Sequence, residues 1–431
     1  MPKIEKLLGR EVLDSRGNPT VLATCVLEGE IRASASVPSG ASTGTAEAFE
    51  LRDGDPKRYR GLGCRRAAAN IGGELQRELA NRVFTDQAEL DQRMIALDGT
   101  PAKSRLGANA VLAISVAFAR ASALQQGIPL YQYFANMLGV RVNKLPRLTI
   151  NLFSGGKHAG QQVSIQDVLI IPIGAQTVDE ALVAASDVYA AAAQIVFSKY
   201  GMRLLTADEG GLGPPCRNAE EMITLALDSI ERAGYRPGKD IFLGVDVAST
   251  HFYRNGRYEM DSDILDSLEM IQVLAHWVEQ FPIISVEDGL AEDDWQHWPL
   301  LCHSMAGRAL TLGDDLLCSN PRRIQRAVET GACDALLLKV NQIGTLTEAL
   351  AACKQARSAG WSISLSVRSG ETEDSWAADL ATGWQADQFK NGSIRHGERI
   401  AKYNRLLEIA EDMSAPLASW PNALKHRDPN R

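Results

Sequence analysis

Four short apolar runs in the second half of the chain each end on a residue with chemistry to offer. Asp246 ends Ile-Phe-Leu-Gly-Val-Asp, Glu287 ends Pro-Ile-Ile-Ser-Val-Glu, Asp314 ends Ala-Leu-Thr-Leu-Gly-Asp, and Lys339 ends Asp-Ala-Leu-Leu-Leu-Lys. Helix-like stretches separate these runs. In a barrel of alternating strands and helices, residues at the carboxyl ends of successive strands converge on one mouth. Three carboxylates there form an oxygen cage for a hard divalent cation. A lysine on the next strand faces that cation and is a candidate base. The pattern predicts metal-assisted chemistry on a carbon acid.

Other motifs carry two readings each. Val37-Pro-Ser-Gly-Ala-Ser-Thr-Gly44 is either a flexible turn or a mobile lid whose Ser42 reaches an anion or a metal. Asp208-Glu209-Gly210-Gly211 is either a solvated turn or the seat of a general acid, if its surroundings raise a carboxyl pKa. Arg368-Ser369-Gly370-Glu371 follows an apolar run. It fits an anion clamp made of a guanidinium fork and helix-start amides, or an ordinary capping box before a helix. Lys390 closes Ala386-Asp-Gln-Phe-Lys and, taken alone, reads as an exposed lysine. His158, in Gly155-Gly-Lys-His-Ala, is a loop histidine, and lone histidines are more often structural. The other six histidines lack metal-ligand spacing, which speaks against zinc. Gly61-Leu-Gly63 lacks the third glycine and the preceding strand of a dinucleotide fingerprint.

These residues need a large scaffold, and 431 residues allow two domains. Residues 21–27 and 31–37 flank Glu28-Gly29-Glu30 as a hairpin. Residues 106–126 form a long alanine-rich helix ended by Gly127, with Pro129 opening the next. From about 146, short strand-like runs alternate with amphipathic helices at 178–199, 219–233, 344–359 and 398–413, the rhythm of a barrel. The expected division is 1–140 as an α+β domain, 141–413 as the barrel and 414–431 as a tail, either an ordered flap or frayed. A net charge of -8 and a pI near 5.5 argue against nucleic acid as a partner. Anionic substrates remain open, because a local field can oppose the net charge. The start is too charged for a signal peptide, and no uncharged apolar run approaches membrane-spanning length. Seven scattered cysteines without a Cys-x-x-Cys pair predict reduced thiols and a cytoplasmic location.

Together the motifs resemble the enolase (phosphopyruvate hydratase) family over residues 3–413. The carriers are Leu13-Asp-Ser-Arg-Gly-Asn-Pro-Thr20, the 37–44 loop, Leu51-Arg-Asp-Gly-Asp55, Gly107-Ala-Asn-Ala110 and Asp208–Gly211. Val286-Glu-Asp-Gly-Leu290, Gly313-Asp-Asp-Leu316, Lys339-Val-Asn-Gln-Ile-Gly-Thr345 and Arg368-Ser-Gly-Glu-Thr-Glu-Asp374 complete the set. The resemblance implies an α/β protein, an N-terminal α+β domain followed by a (β/α)8-type barrel. It implies two magnesium sites, one held by Asp246, Glu287 and Asp314, the other substrate-dependent and reached by Ser42. Lys339 resembles the base that removes the proton α to the carboxylate, and Glu209 the acid that helps a β-hydroxyl leave as water. Arg368 and Ser369 resemble a phosphate clamp, and Lys390 and Gln166 groups near the substrate carboxylate. The implied substrate is a small phospho-acid, 2-phosphoglycerate, and the implied assembly a homodimer or a dimer-based oligomer.

Departures from the family pattern gather on the leaving-group side. Asp167 stands where the family has glutamate, and Val367 where it has histidine. The family's Ser-Glu-Phe reads Thr250-His251-Phe252, and Arg-Ser-Glu-Arg reads Arg395-His-Gly-Glu-Arg399. One dimer salt bridge is lost at Leu22 and Glu408, while Arg16 with Glu411 can persist. A second expectation follows: a diverged paralogue that enolises a related phospho- or phosphono-acid and expels or transfers another group, as in carboxyphosphonoenolpyruvate synthase. A non-catalytic interaction protein ranks last, having no reason to keep Asp246, Glu287, Asp314, Lys339 and Glu209 together.

Overall fold

A computed structural model describes residues 1–41, 44–201, 203 and 205–420. The chain opens with a three-stranded antiparallel sheet, Ile4–Leu13, Pro19–Leu27 and Ile31–Ser36, whose last two strands are the expected hairpin. The first strand is interrupted by the charged pairs Glu5-Lys6 and Arg10-Glu11 and has no apolar run long enough to mark it. Helix Ala108–Gln126 packs on this sheet and ends at Gly127, whose φ of 65° suits a residue without a Cβ. Pro129 is the N-cap of Leu130–Leu138.

The second half is a closed eight-stranded barrel. Its strands run Arg147–Ser154, Asp167–Ile171, Phe242–Asp246, Ile283–Glu287, Leu310–Gly313, Ala335–Leu338, Ser362–Ser366 and Gln388–Lys390, and the last pairs with the first. One feature corrects the expected alternation of strand and helix. The first two strands are joined through a short turn region instead of a helix, so Asp167–Ile171 is antiparallel to both neighbours. The helix missing from that connection follows later, where Val178–Tyr200 and Ala219–Arg232 occur in succession before the third strand. The helices start on polar caps: Thr177, Asn218 and Thr345 each accept an N–H from a glutamate three residues on, and Asp266 forms a full capping box with Glu269.

By length and composition, Ala108–Gln126 and Val178–Tyr200 could each cross a membrane. Each carries charge, at Arg120 and Asp187, and both pack in the fold, the first almost wholly buried. The described part of the tail, residues 414–420, packs against the barrel. Leu145 N–H donates to Pro416 O and Ala418 N–H to Leu145 O, while Trp420 packs on Leu310, Leu312, Ala335 and Leu337.

Candidate active site

Strand ends deliver the charged residues to one mouth. Asp246, Glu287 and Lys390 are the last residues of their strands, and Asp314 and Lys339 follow theirs by one. All but Lys339 are buried, and its side chain is only 12% exposed. Lys390, expected to be exposed if read alone, donates from Nζ to Asp246 Oδ2 and Glu287 Oε2, both at 2.7 Å. Lys339 Nζ pairs with Asp314, whose other oxygen accepts from Gln342 Nε2 at 2.7 Å. Gln166 Nε2 reaches Asp246 Oδ2 at 3.2 Å.

The three expected ligands are not drawn onto one point. Among the described residues, the groups of three possible ligands with atoms within 4.8 Å of one another are His158–Asp167–Glu209 and Asp288–Asp314–Asp315. Asp246 and Glu287 share the Lys390 ammonium, while Asp314 pairs with Lys339. Asp288 has backbone work to do: it accepts the N–H groups of Asp314 at 2.9 Å and Asp315 at 2.8 Å, fixing the turn that presents Asp314. The donor set still fits a hard cation. Glu287 Oε1 and Gln166 Oε1 are buried with no hydrogen-bond partner, and bare oxygen acceptors beside three carboxylates suit magnesium. Burial pulls the Lys339 pKa down, but Asp314 leads the carboxylates that more than offset it, so the ammonium form is favoured.

A second cluster holds the candidate acid. His158 Nδ1 lies 2.9 Å from Asp167 Oδ2, and Nε2 lies 3.7 Å from Glu209 Oε1. Asp167 Oδ1 also accepts from Ser154 Oγ at 2.5 Å, and Glu209 Oε2 from Asn151 Nδ2 at 3.0 Å. This reverses the condition set for Glu209 as an acid. Burial would raise its pKa, but His158, Arg399, Lys390 and Lys339 overcome burial and hold it low. His158 is opposed by burial too, yet Glu209 and Asp167 push it up to about 9. The proton in this pair therefore sits on the imidazole, and the loop histidine is buried and charged.

Arg368 and Ser369 lie between strand Ser362–Ser366 and helix Trp376–Gly383. The capping-box alternative fails: the helix is capped at Ser375, without a side-chain bond. Arg368 is buried and holds Glu47 from Nη1 at 2.8 Å and Nη2 at 3.2 Å. Ser369 Oγ accepts from Ala41 N–H at 2.8 Å. A Cβ on Gly40 would stand 2.0 Å from the Arg368 guanidinium, so a side chain there would push the guanidinium out of its place against Glu47. Ser42 lies outside the described residues.

The Arg16 side chain lies at the mouth, donating to Ser39 O at 3.0 Å and to Ser369 Oγ at 3.4 Å, and is only 16% exposed. Sequence reasoning also missed Glu47, Asn151, Asp288, Gln342 and Arg399. Asp288, Gln342 and Arg399, like Arg16, lie inside motifs already singled out; Glu47 and Asn151 sit in ordinary local sequence and become visible only through their partners. Of the departures, Val367 is a buried, apolar side chain in the core. His251 lies partly buried, with Nδ1 lacking a partner.

Two family models match the chain: the enolase N-terminal domain over residues 4–134 and the enolase C-terminal TIM barrel domain over residues 142–421. The chain belongs to the enolase family. An enolase-family enzyme accounts for an acid-rich barrel mouth closed by loops from a smaller α+β domain.

Proposed function

We propose that the protein is a magnesium-dependent carbon–oxygen lyase that interconverts 2-phosphoglycerate with phosphoenolpyruvate and water. The observation that carries this reading is the convergence of Asp246, Glu287, Asp314 and Lys339 on one barrel mouth, with a buried Glu287 oxygen left bare. Asp246, Glu287 and Asp314 would hold one cation, and Ser42 would help hold a second that enters with substrate. Bound there, magnesium would stabilise the charge that builds on the substrate carboxylate as the α-proton leaves. The same cation would oppose the ammonium charge that the carboxylates favour, and Lys339, once neutral, takes that proton on Nζ. Arg368 and Ser369 hold the phosphate, with Arg368 exchanging Glu47 for it. Lys390 and Gln166 orient the carboxylate. The His158–Glu209 pair, with Asp167 behind the imidazole, supplies the proton with which the β-hydroxyl departs as water. A cytoplasmic location suits the seven free cysteines, six of them buried.

A second reading is favoured by two residues. Val367 offers no hydrogen bond where the family has histidine, and the Asp167 carboxylate is occupied by His158 and Ser154. On this reading, Lys339 still removes the α-proton of a phospho- or phosphono-acid, but another group leaves or is transferred. The deciding assay gives the protein 2-phosphoglycerate and magnesium and follows the enol absorbance together with solvent exchange at the α-carbon. Rapid dehydration supports the first reading. Exchange without dehydration supports the second. Neither signal, with no magnesium binding, removes both and leaves an interaction protein.

A further inference from the structure

A cavity of about 650 Å³ opens on the outer flank of the barrel and shares no lining residue with the acidic mouth. One wall is apolar, built from Phe197 and Leu212 with the ring of Tyr189. The rest is polar: Gln194, Ser198 and Thr206 line it together with three exposed arginines, Arg203, Arg232 and Arg395, and with His396. The Arg395 guanidinium lies 4.9 Å from the Tyr189 ring centroid. Among the described residues, none of these three arginines is in an ion pair, although the chain as a whole carries a net charge of -8. Three like charges gathered beside an apolar surface repel one another unless an anion joins them. His396 adds strain at the same place. Its φ of 71° with ψ of 139° is a glycine-like conformation, held in part by the contact of Nε2 with Thr206 Oγ1 at 2.9 Å. Arg395 and His396 also fall in the stretch where the sequence departs from the family's Arg-Ser-Glu-Arg, a change the barrel mouth does not explain.

We propose that this cavity binds a small organic anion, a phosphate or carboxylate head on a planar or apolar body. The guanidinium groups receive the head through charge-assisted hydrogen bonds. Phe197, Leu212 and the Tyr189 ring receive the body. The occupant lies against the back of the turn that presents Glu209. Tyr189 Oη donates to Gly210 O at 3.2 Å, Ser393 N–H donates to Glu209 O at 2.9 Å, and the Arg395 carbonyl lies 2.9 Å from where a Cβ on Gly210 would stand. The ligand thus touches Tyr189, whose hydroxyl supports this turn from behind, and the side chain of Arg395, whose backbone lies against it. The site stands independently of the reaction at the mouth, because its test reads binding and not turnover.

The test titrates the full chain, without metal and in chelator, with 1-naphthyl phosphate by calorimetry. Inorganic phosphate and 1-naphthol serve as the separate head and body. The expected result is one saturable site per chain, with either fragment binding about tenfold more weakly or worse. Arg232→Gln combined with Arg395→Gln should weaken naphthyl phosphate by about tenfold or more. Both side chains are exposed, so the double variant keeps the fold. Arg368→Gln, at the mouth, should leave this binding unchanged. Equal affinity in the double variant and the natural protein overturns the proposal, as does loss of binding in Arg368→Gln. Failure to saturate below about 10 mM overturns it too. Inorganic phosphate binding as tightly as naphthyl phosphate would remove the organic ligand.

Discussion

Glu287 is the residue on which the cation site can be tested most directly. Glu287→Gln keeps the shape and the contact with Lys390 but removes the charge beside a bare buried oxygen. Calorimetric titration with magnesium should show affinity falling by at least about tenfold, with the circular dichroism spectrum retained. An unchanged titration would remove Glu287 from the ligand set. His158 gives a pH-dependent prediction. Its folded pKa, near 9, lies above the unfolded value of about 6.5. The stabilisation it contributes is therefore complete below pH ~6.5 and is lost as pH rises through about 9. Melting temperature should decline across that window, and in His158→Gln that part of the slope should disappear. Val367 and Asp167 are tested together: Val367→His with Asp167→Glu should raise dehydration of 2-phosphoglycerate more than α-proton exchange. If the natural protein already dehydrates as fast as it exchanges and the double variant gains nothing, these two residues are drift. At this scale the sequence was legible where a charged residue ended an apolar run, as at Asp246 or Lys339. It was not legible where charge depends on distant partners. Glu209 looked like an acid in need of a raised pKa, and only its neighbours, brought from four other segments, show the proton to be on His158.

Elements hold these side chains, and their ends carry much of the specification. Asp266→Ala removes the carboxylate that accepts the N–H groups of Leu268 and Glu269 at the start of Ser267–Gln280, leaving only the backbone N–H to Glu269 bond of the capping box, and should cost about 1 kcal/mol in chemical denaturation. The docking of the small domain on the barrel rests on a stronger contact. Arg120, on the long alanine-rich helix, grips Asp374 at 2.6 and 3.2 Å, and Ser36 N–H reaches the same carboxylate at 3.0 Å. Asp374→Ala should destabilise by about 2–3 kcal/mol, and hydrogen exchange should rise at residues 34–41 before it rises in the barrel strands. Uniform loss of protection would show that the contact does not govern docking. The helices were legible because 3.6-residue periodicity, polar N-caps and glycine C-caps agree along their length. The antiparallel second strand was not. Val168 to Ile171 reads as any buried strand, and its direction depends on the short link before it, which carries no apolar pattern of its own.

On the scale of the whole molecule, a homodimer is expected. The strand Ile4–Leu13 lies at the edge of its sheet and exposes Leu8 and Leu13. With Leu22 unable to form an ion pair and Glu408 paired to Arg405 of its own chain at 3.0 Å, one of the two expected bridges is absent from such an interface. Exposed pairs contribute roughly 0–1 kcal/mol in any case. Light scattering at micromolar concentration should give the dimer mass, and a monomer mass would contradict this. Barrel architecture was legible from alternation, whereas closure was not, because it depends on a pairing between the first strand and the last. That pairing has a consequence during synthesis. Gln388 lies opposite Arg147, and Ser39 exchanges two backbone hydrogen bonds with Gly370. The segments that leave the ribosome early thus have partners that are made near the end of translation. A nascent chain stopped before residue 370 lacks the contact that docks the small domain, and one stopped before residue 388 still has an open sheet edge at Arg147–Ser154, so both surfaces stay exposed to wrong pairing until late in synthesis.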